Sequence, residues 1–149
     1  LWKKRILYAE HSPIRNLIFV IKIYDLPSWV SVHLVRHKIG IDHFVSTQRT
    51  DRTGKDRELL PQNSPVTHQI TVNAQALINI SRKRLCKCAS LETQNVWKMI
   101  LETIKDSQPE LYCVCVPECI YRGFCPEMNS CGYYKTKEYE NNREVYIQK

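Results

Sequence analysis

Two histidines and an arginine near the start of the chain are spaced so that a helix would place them on one face. The sequence from residue 28 onward predicts a helix with Ser28 as its cap. On that helix His33, Arg36 and His37 stand at positions i, i+3 and i+4, so three polar groups point in one direction. This face is a candidate for contacting a ligand, and a solvated helix surface is the alternative.

A second candidate is Arg84, which shares a stripe of a predicted helix with Leu77 and Ile80. A guanidinium among apolar neighbours needs a specific partner, because an unpaired buried charge is costly. The partner is either an anion or carbonyl of a ligand, or a structural carboxylate such as Glu92 or Asp106.

The third candidate is a group of thiols near the end of the chain. The chain has seven cysteines, an odd number, and no secretion signal, so a disulfide framework is not expected. Cys119, Cys125 and Cys131 recur with five residues between each pair, and Cys86 or Cys88 can supply a fourth thiolate to a tetrahedral zinc site. The spacing is not the Cys-x2-Cys of common zinc folds, so buried, inert thiols are the favoured alternative.

The elements that position these residues follow from periodicity and from turn residues. Strands are predicted over residues 5–10, 18–24 and 70–72, and Cys113 and Cys115 alternate with valines as in a strand. Helices are predicted over residues 28–38, 73–87 and 90–106, the last capped by Ser90 and ended by Pro109. A polar loop is predicted over residues 46–65, and the last fifteen residues are expected to fray.

Composition predicts one domain of ordinary size. The 149 residues are 43% hydrophobic, which supplies one core, and no apolar stretch is long enough for a membrane span or a signal peptide. We therefore expect a cytoplasmic protein with an α/β (α+β) fold, in which helices pack on an antiparallel sheet. The predicted domain covers residues 1–134 and includes a Cys-rich segment over 112–134, followed by a polar tail over 135–149. A net charge of +7 favours an anionic partner.

Two blocks of residues resemble the flavin-dependent thymidylate synthases. The first is Arg36-His37-Lys38 followed by Ser46-Thr47-Gln48-Arg49, which is similar to the family's Arg-His-Arg, seven residues, then Ser-x-Arg. It follows a turn that contains His11 and an apolar strand, as in the family. The second block is similar to a helix of the family through Asn73, Ala74, Leu77, Asn79, Arg84, Ala89 and Glu92. The resemblance is that of a short, divergent member.

The resemblance implies methylation of dUMP to dTMP, with carbon from methylenetetrahydrofolate and reducing power from NADPH through FAD. It implies a homotetramer, because the family's active sites form between subunits. The FAD-binding residues that it implies are His11, Arg36, His37, Lys38, Asn73 and Asn79. The dUMP-binding residues that it implies are His33, Ser46 or Thr47, Arg49 and Arg84, with Arg49 on the phosphate and Arg84 as the catalytic residue facing the uracil. Zinc on Cys86, Cys119, Cys125 and Cys131 is a separate candidate cofactor.

Four positions depart from the family pattern and keep other functions open. Lys38 replaces an arginine, His33 a glutamine, Phe44 a glutamate, and Gln75 an arginine that often binds flavin. One alternative is a relative that binds flavin or nucleotide without methylating it. Another is a basic, zinc-stabilised nucleic-acid-binding module, which is less favoured because its basic residues lack interleaved aromatic residues.

Overall fold

A computed structural model describes residues 2–148 and has a mixed α/β architecture, as the sequence predicts. Three strands form one antiparallel sheet: β1 (Ile18–Pro27), β2 (Ile41–Val45) and β3 (Pro65–Asn73). The helices of this described part are α1 (Trp2–Tyr8), α2 (Ser28–Leu34), α3 (Thr50–Thr53), α4 (Ala74–Arg84), α5 (Leu91–Lys105), α6 (Pro109–Val114), α7 (Glu118–Arg122) and α8 (Lys137–Ile147). Short 3-10 turns cover Ser12–Asn16, Arg57–Leu59 and Tyr133–Lys135.

The chain divides into two compact units. One unit comprises residues 18–73, and the other comprises the residues up to Leu17 together with those from Ala74 onward. The single domain expected over residues 1–134 stays a prediction. Within residues 2–148, no helix has both the length and the apolar composition that crossing a membrane requires.

The sheet belongs to the first unit and has the strand order β1-β3-β2. The central strand β3 pairs antiparallel with both neighbours, so His68 lies opposite Ile23 on one side and Val45 on the other. Alternate residues of β3 are buried, namely Val66, His68, Ile70 and Val72. The predicted strand 18–24 is confirmed and extends to Pro27, while β2 lies in a region for which no strand was predicted.

Helix α2 packs against β1 and β3 through its buried residues Val30 and Leu34. It is shorter than the predicted helix 28–38, because it ends at Leu34. Ser28 is its first helical residue rather than its cap, and Pro27 occupies the N-cap position.

In the second unit, α4 and α5 carry the buried stripes that their periodicity predicts. Leu77 and Trp97 are almost fully buried, and the Trp97 indole donates a hydrogen bond to the Ser81 hydroxyl at 2.8 Å. Ser90 is confirmed as the N-cap of α5, since its side chain accepts a hydrogen bond from the Thr93 amide.

Three predictions for the second unit are wrong. Residues 5–10 are largely helical in α1, because an apolar run this short does not distinguish a strand from a helix. Cys113 and Cys115 are not in a strand, because Cys113 lies in α6, which begins at Pro109, and Cys115 follows as its C-cap. The polar tail forms α8, in which Thr136 caps the first turn and Tyr139 is buried.

Candidate functional site

A cavity of about 320 Å³ in the first unit gathers the residues predicted to hold a phosphate. It is lined by Ser28, Ser31, Val32, Val35, Val45, Ser46, Thr47, Gln48, Arg49, Arg57 and Val66. Ser46, Thr47 and Arg49 come together here because β2 ends at Val45 and the chain turns away from the sheet after it.

Both candidate hydroxyls are oriented by backbone amides. The Thr67 amide donates to Ser46 Oγ at 3.0 Å, and the Ser46 amide donates to the Thr67 carbonyl at 2.9 Å. The Arg49 amide donates to Thr47 Oγ1 at 3.2 Å. Each oxygen accepts in these contacts, so each keeps its own hydrogen for donation to an anion. Both hydroxyls therefore remain candidates for the phosphate.

Arg49 already faces an anion of its own chain. Its guanidinium donates to both carboxylate oxygens of Asp51, from Nε at 2.9 Å and from Nη2 at 2.8 Å. Both side chains are more than half exposed, so this pair contributes little to stability and can exchange partners. A phosphate reaching Arg49 has to compete with Asp51.

Arg57 is the second arginine of the cavity. Its backbone amide donates to Thr50 Oγ1 at 3.2 Å, which ties the 3-10 turn to α3. Its guanidinium forms no ion pair or hydrogen bond with any residue in the described range 2–148, so its charge is uncompensated there. From sequence alone, Arg57 was only one of several basic residues in a polar loop, and nothing in its spacing pointed to this cavity.

A chain of hydrogen bonds runs from the cavity into the sheet. Ser31 Oγ lies 3.0 Å from His68 Nδ1, and His68 Nε2 lies 2.9 Å from His43 Nδ1. His43 Nε2 lies 2.7 Å from the backbone carbonyl of His37, which can only accept. With a neutral His43, this fixes the direction: His43 donates to His37, His68 donates to His43, and the Ser31 hydroxyl donates to His68.

This arrangement requires His68 to be neutral. Its side chain is fully buried, and burial together with repulsion from His43 lowers its pKa from 6.5 to about 4. A neutral His68 accepts a hydrogen bond from the Ser31 hydroxyl. The lone pairs of Ser31 Oγ are then left to accept a hydrogen bond from a group in the cavity. Neither His43 nor His68 was singled out in the sequence, because they are distant in the chain and meet only through strand pairing.

The predicted helix face of His33, Arg36 and His37 does not form. Helix α2 ends at Leu34, so Arg36 and His37 lie beyond it and only His33 is helical. Arg36 and Lys38 are exposed and form no ion pair or hydrogen bond within residues 2–148, whereas the His37 carbonyl belongs to the hydrogen-bond chain. None of these four residues lines the cavity.

The other predicted FAD residues lie in varied surroundings. Asn73 ends β3, and its amide donates to the Gly40 carbonyl at 3.0 Å. His11 is exposed at the N-cap position of a 3-10 turn. Asn79 is exposed on α4 and accepts from Arg82 at 3.1 Å. Arg84 is the last residue of α4 and is half-buried, whereas Leu77 and Ile80 of the same predicted stripe are buried.

A polar cluster near Gln75 was not predicted. The Gln75 amide donates to Glu10 at 2.5 Å, and Arg82 forms an ion pair with the same carboxylate. The Arg82 guanidinium also lies over the Tyr121 ring, 3.5 Å from its centroid. Glu10 has a φ of 52°, an unusual value for a residue other than glycine, so this contact holds a strained residue. Gln75 is thus engaged within its own chain.

Four cysteines predicted as zinc ligands line one small cavity. Cys86, Cys119, Cys125 and Cys131 surround a space of about 10 Å³ in the second unit. Burial raises the pKa of Cys119, which keeps its thiol protonated at neutral pH. Among residues 2–148, no three His, Cys, Asp or Glu side chains are placed so that they could hold a metal ion. Zinc binding stays a prediction.

Comparison with known proteins points to one family. The family described as thymidylate synthase complementing protein matches residues 54–110. A flavin-dependent thymidylate synthase of Nitratidesulfovibrio vulgaris is 30% identical over 84 residues, which are 55% of this chain and 34% of that relative. A flavin-dependent thymidylate synthase of Clostridium tetani is 38% identical over 63 residues, which are 42% of this chain and 25% of that relative.

The matched region covers 34% and 25% of these two curated relatives, so the similarity concerns part of each protein. The family match over residues 54–110 includes the second block of matching residues, from Asn73 to Glu92, and begins after the first block, which ends at Arg49. Over part of its length, the chain is similar to the flavin-dependent thymidylate synthases.

Proposed function

We propose that the chain binds dUMP and FAD and takes part in methylating dUMP to dTMP, with methylenetetrahydrofolate and NADPH as co-substrates. The observation that carries this proposal is the cavity in which Ser46, Thr47, Arg49 and Arg57 meet. Its residues suit a phosphate monoester, and the two curated relatives are named for this reaction. A cytoplasmic location goes with the proposal as a prediction.

The phosphate of dUMP would be held by arginine and hydroxyl donors. Arg57 offers an uncompensated guanidinium, which can bind two oxygens of a dianion at once. Ser46 and Thr47 each have a hydrogen to donate, since their oxygens already accept from backbone amides. Arg49 joins this set when the phosphate replaces Asp51 on its guanidinium. These contacts hold the phosphate equally well in the ground state and in the transition state. They therefore position the nucleotide without lowering the chemical barrier themselves.

The sugar of the nucleotide would meet Ser31. Because the Ser31 hydroxyl donates a hydrogen bond to His68, its oxygen presents lone pairs to the cavity. It can therefore accept a hydrogen bond from the sugar hydroxyl of the nucleotide. Burial keeps His68 neutral, and His43 fixes its orientation. Ser31 is therefore proposed as a positioning residue for dUMP.

At the uracil, we propose Arg84 by resemblance to the family. A fixed cation there can stabilise negative charge that develops on a pyrimidine carbonyl. The family's active sites form between subunits, so Arg84 of one copy need not serve the cavity of the same copy.

The residues around Lys38 suit the diphosphate of FAD. Arg36 and Lys38 are exposed cations without an ion pair or hydrogen bond within residues 2–148, so an anion would be their first partner. When bound, the flavin would supply the redox chemistry, passing on reducing power from NADPH. His37, His11, Asn73 and Asn79 complete the proposed flavin set, with His33 assigned to the nucleotide.

A relative that binds flavin or nucleotide without methylating remains the second candidate. It is favoured by Gln75, which replaces an arginine of the family and is held by Glu10, and by Phe44, which is 57% exposed where the family usually has a glutamate. Both candidates predict dUMP binding, and turnover separates them.

The test is calorimetric titration with dUMP and with deoxyuridine, which lacks the phosphate. We expect dUMP to bind more tightly, and Arg57→Ala to weaken dUMP binding by about ten- to a hundredfold, the value of one charge-assisted contact. Arg52→Ala is the matched control, because Arg52 is exposed in the same segment and does not line the cavity. Equal affinities for dUMP and deoxyuridine, or an Arg57→Ala variant with unchanged affinity, would contradict the proposal.

Flavin binding is tested separately by adding FAD to the purified chain. The visible absorption of bound flavin should remain after gel filtration and should be lost in the Arg36→Ala, Lys38→Ala double variant. Retention of flavin by that variant would remove both residues from the flavin set while leaving the nucleotide cavity untouched.

A further inference from the structure

One cavity of the second unit has no part in the proposed function. Its volume is about 540 Å³, within the range of about 300 to 1,000 Å³ that is usual for small-molecule pockets. Helices α1, α5, α6, α7 and α8 contribute to its wall, together with the segment after α4. Much of this wall lies beyond residue 110, outside the part of the chain that matches the family.

The interior of this cavity is apolar and aromatic. Leu101 and Ile120 are almost fully buried and line it, as does Cys115, whose pKa burial raises to about 12 so that its thiol stays uncharged. The rings of Tyr8, Tyr112, Tyr133 and Tyr146 also line it. Apolar walls with several aromatic rings favour a flat, apolar ligand body, because stacked and edge-on ring contacts add to simple burial.

Positive charge is left over around the cavity. Lys87 is paired with Glu138 at 3.2 Å. Glu102 accepts from Lys105 at 3.1 Å and from the Tyr112 hydroxyl at 2.5 Å, so a lysine outside the lining neutralises it. Lys98 forms no ion pair or hydrogen bond within residues 2–148, and an anionic ligand would be its first counter-charge.

Lys4 adds to this surplus. Its amine lies 3.5 Å from the Gln148 carbonyl and 5.7 Å from the centre of the Tyr8 ring, and neither contact neutralises its charge. Three lysines line the cavity, namely Lys4, Lys87 and Lys98. Only Lys87 is neutralised by a carboxylate of the lining, that of Glu138.

We propose that this cavity is a second ligand site, which binds an aromatic molecule carrying one anionic group. The rings and the aliphatic walls take the apolar body, and Lys98 and Lys4 take the anion. The site is independent of the nucleotide cavity, because the two share no residue.

The test uses two fluorescent probes with the same rings, 8-anilinonaphthalene-1-sulfonate, which is anionic, and N-phenyl-1-naphthylamine, which is neutral. We expect one saturable site for the anionic probe, with an affinity about tenfold higher than that of the neutral probe. Lys98→Glu should weaken the anionic probe by about tenfold or more and leave the neutral probe unchanged. Lys55→Glu is the matched control, since it makes the same charge change at an exposed lysine outside the cavity.

Variants that fill the cavity with a large side chain test whether the probes bind inside it. Val116→Trp should abolish binding of both probes, and Val145→Trp is a second blocking variant at a position that is 70% exposed and so tolerates a large side chain. Circular dichroism checks that each variant is folded. Arg57→Ala should leave both probes unaffected, which separates this proposal from the nucleotide site.

Four results would overturn the proposal. They are equal affinity for the two probes, an equal effect of Lys55→Glu and Lys98→Glu, unsaturable binding, and binding to both folded tryptophan variants that matches the parent protein. Loss of probe binding as protein concentration rises and copies associate would assign the cavity to a second copy of the chain instead.

Discussion

At the level of single residues, His68 shows how burial decides what a side chain can do. A histidine in water gains a proton near neutral pH, but His68 has no exposed surface and faces a second histidine. A neutral His68 has one donor and one acceptor nitrogen, and the His37 carbonyl at the end of the hydrogen-bond chain directs the acceptor nitrogen towards Ser31 when His43 is neutral. The acceptor role of Ser31 in the cavity thus depends on a residue that no ligand touches.

This dependence predicts how stability changes with pH. The pKa of His68 is lowered from 6.5 to about 4 on folding, so the unfolded chain binds more protons between these values. The stability that neutral His68 contributes is therefore complete above pH 6.5 and is lost as the pH falls towards 4. The loss at His68 should reach roughly 3 kcal/mol.

Urea unfolding measured across this pH range checks the prediction. His68→Gln should lower the free energy of unfolding at neutral pH and should flatten its fall with acid, since the titrating group is gone. His11→Gln is the control, because His11 is exposed and should leave the slope unchanged. A slope as steep in His68→Gln as in the parent protein would assign the acid sensitivity to other groups.

At the level of elements, α5 shows which signals a sequence carries well. Its apolar residues repeat at helical spacing over fifteen residues, and its cap is a serine followed by an acidic first turn. Ser90 Oγ accepts from the Thr93 amide at 3.4 Å and donates to Thr93 Oγ1 at 2.7 Å. The cap therefore satisfies one of the amides that the first turn leaves free.

Removing this cap should destabilise the second unit. We expect Ser90→Ala to lower the free energy of unfolding by about 1 kcal/mol, because the Thr93 amide loses its acceptor. Ser90→Asp keeps an acceptor oxygen and should retain most of the stability. Urea unfolding of both variants measures the difference, and equal losses in the two would show that the hydroxyl does not act as a cap.

Local sequence patterns do not predict some other elements, because tertiary contacts stabilise them. Helix α8 is polar and has one buried residue, Tyr139, but Arg143 donates to the carbonyls of Ile120 and Tyr121. Cysteines and valines alternate over residues 113–116, yet α6 ends at Val114 and buries Leu111 and Val114 at helical spacing. Such short elements depend on distant partners that no local pattern encodes.

The same distinction applies to the candidate site. Ser46, Thr47 and Arg49 were predicted from their resemblance to a family signature and do line one cavity. Ser31 and Arg57 line it too, but they come from α2 and from a 3-10 turn, so only the folded chain brings them together. The helix face of Arg36 and His37 was wrong because α2 ends after seven residues.

At the level of the whole molecule, the oligomeric state stays a prediction. The outer strand β1 exposes Ile18, Val20 and Tyr24, which are 59%, 66% and 66% accessible and alternate along one face. An edge strand that exposes apolar side chains is a common contact surface between copies of a chain. This exposure is consistent with the homotetramer that the family resemblance implies.

Sedimentation in the presence of FAD and dUMP tests the homotetramer. We expect a tetramer for the parent protein and a smaller species for Val20→Lys, because a charge on this face opposes its burial. Lys55→Glu is the control, because Lys55 is an exposed lysine outside β1. A parent protein that sediments as a monomer would contradict the prediction.

The order of the two units along the chain has a consequence for evolution and engineering. The first unit is a continuous segment, while the second is interrupted by it. Leu17 and Ala74, the residues on either side of the interruption, are joined by a backbone hydrogen bond of 2.9 Å. The segment between them thus leaves and rejoins at a single point, as in a domain insertion. Such a segment can be exchanged, lengthened or replaced by a short linker without rerouting the polypeptide that surrounds it.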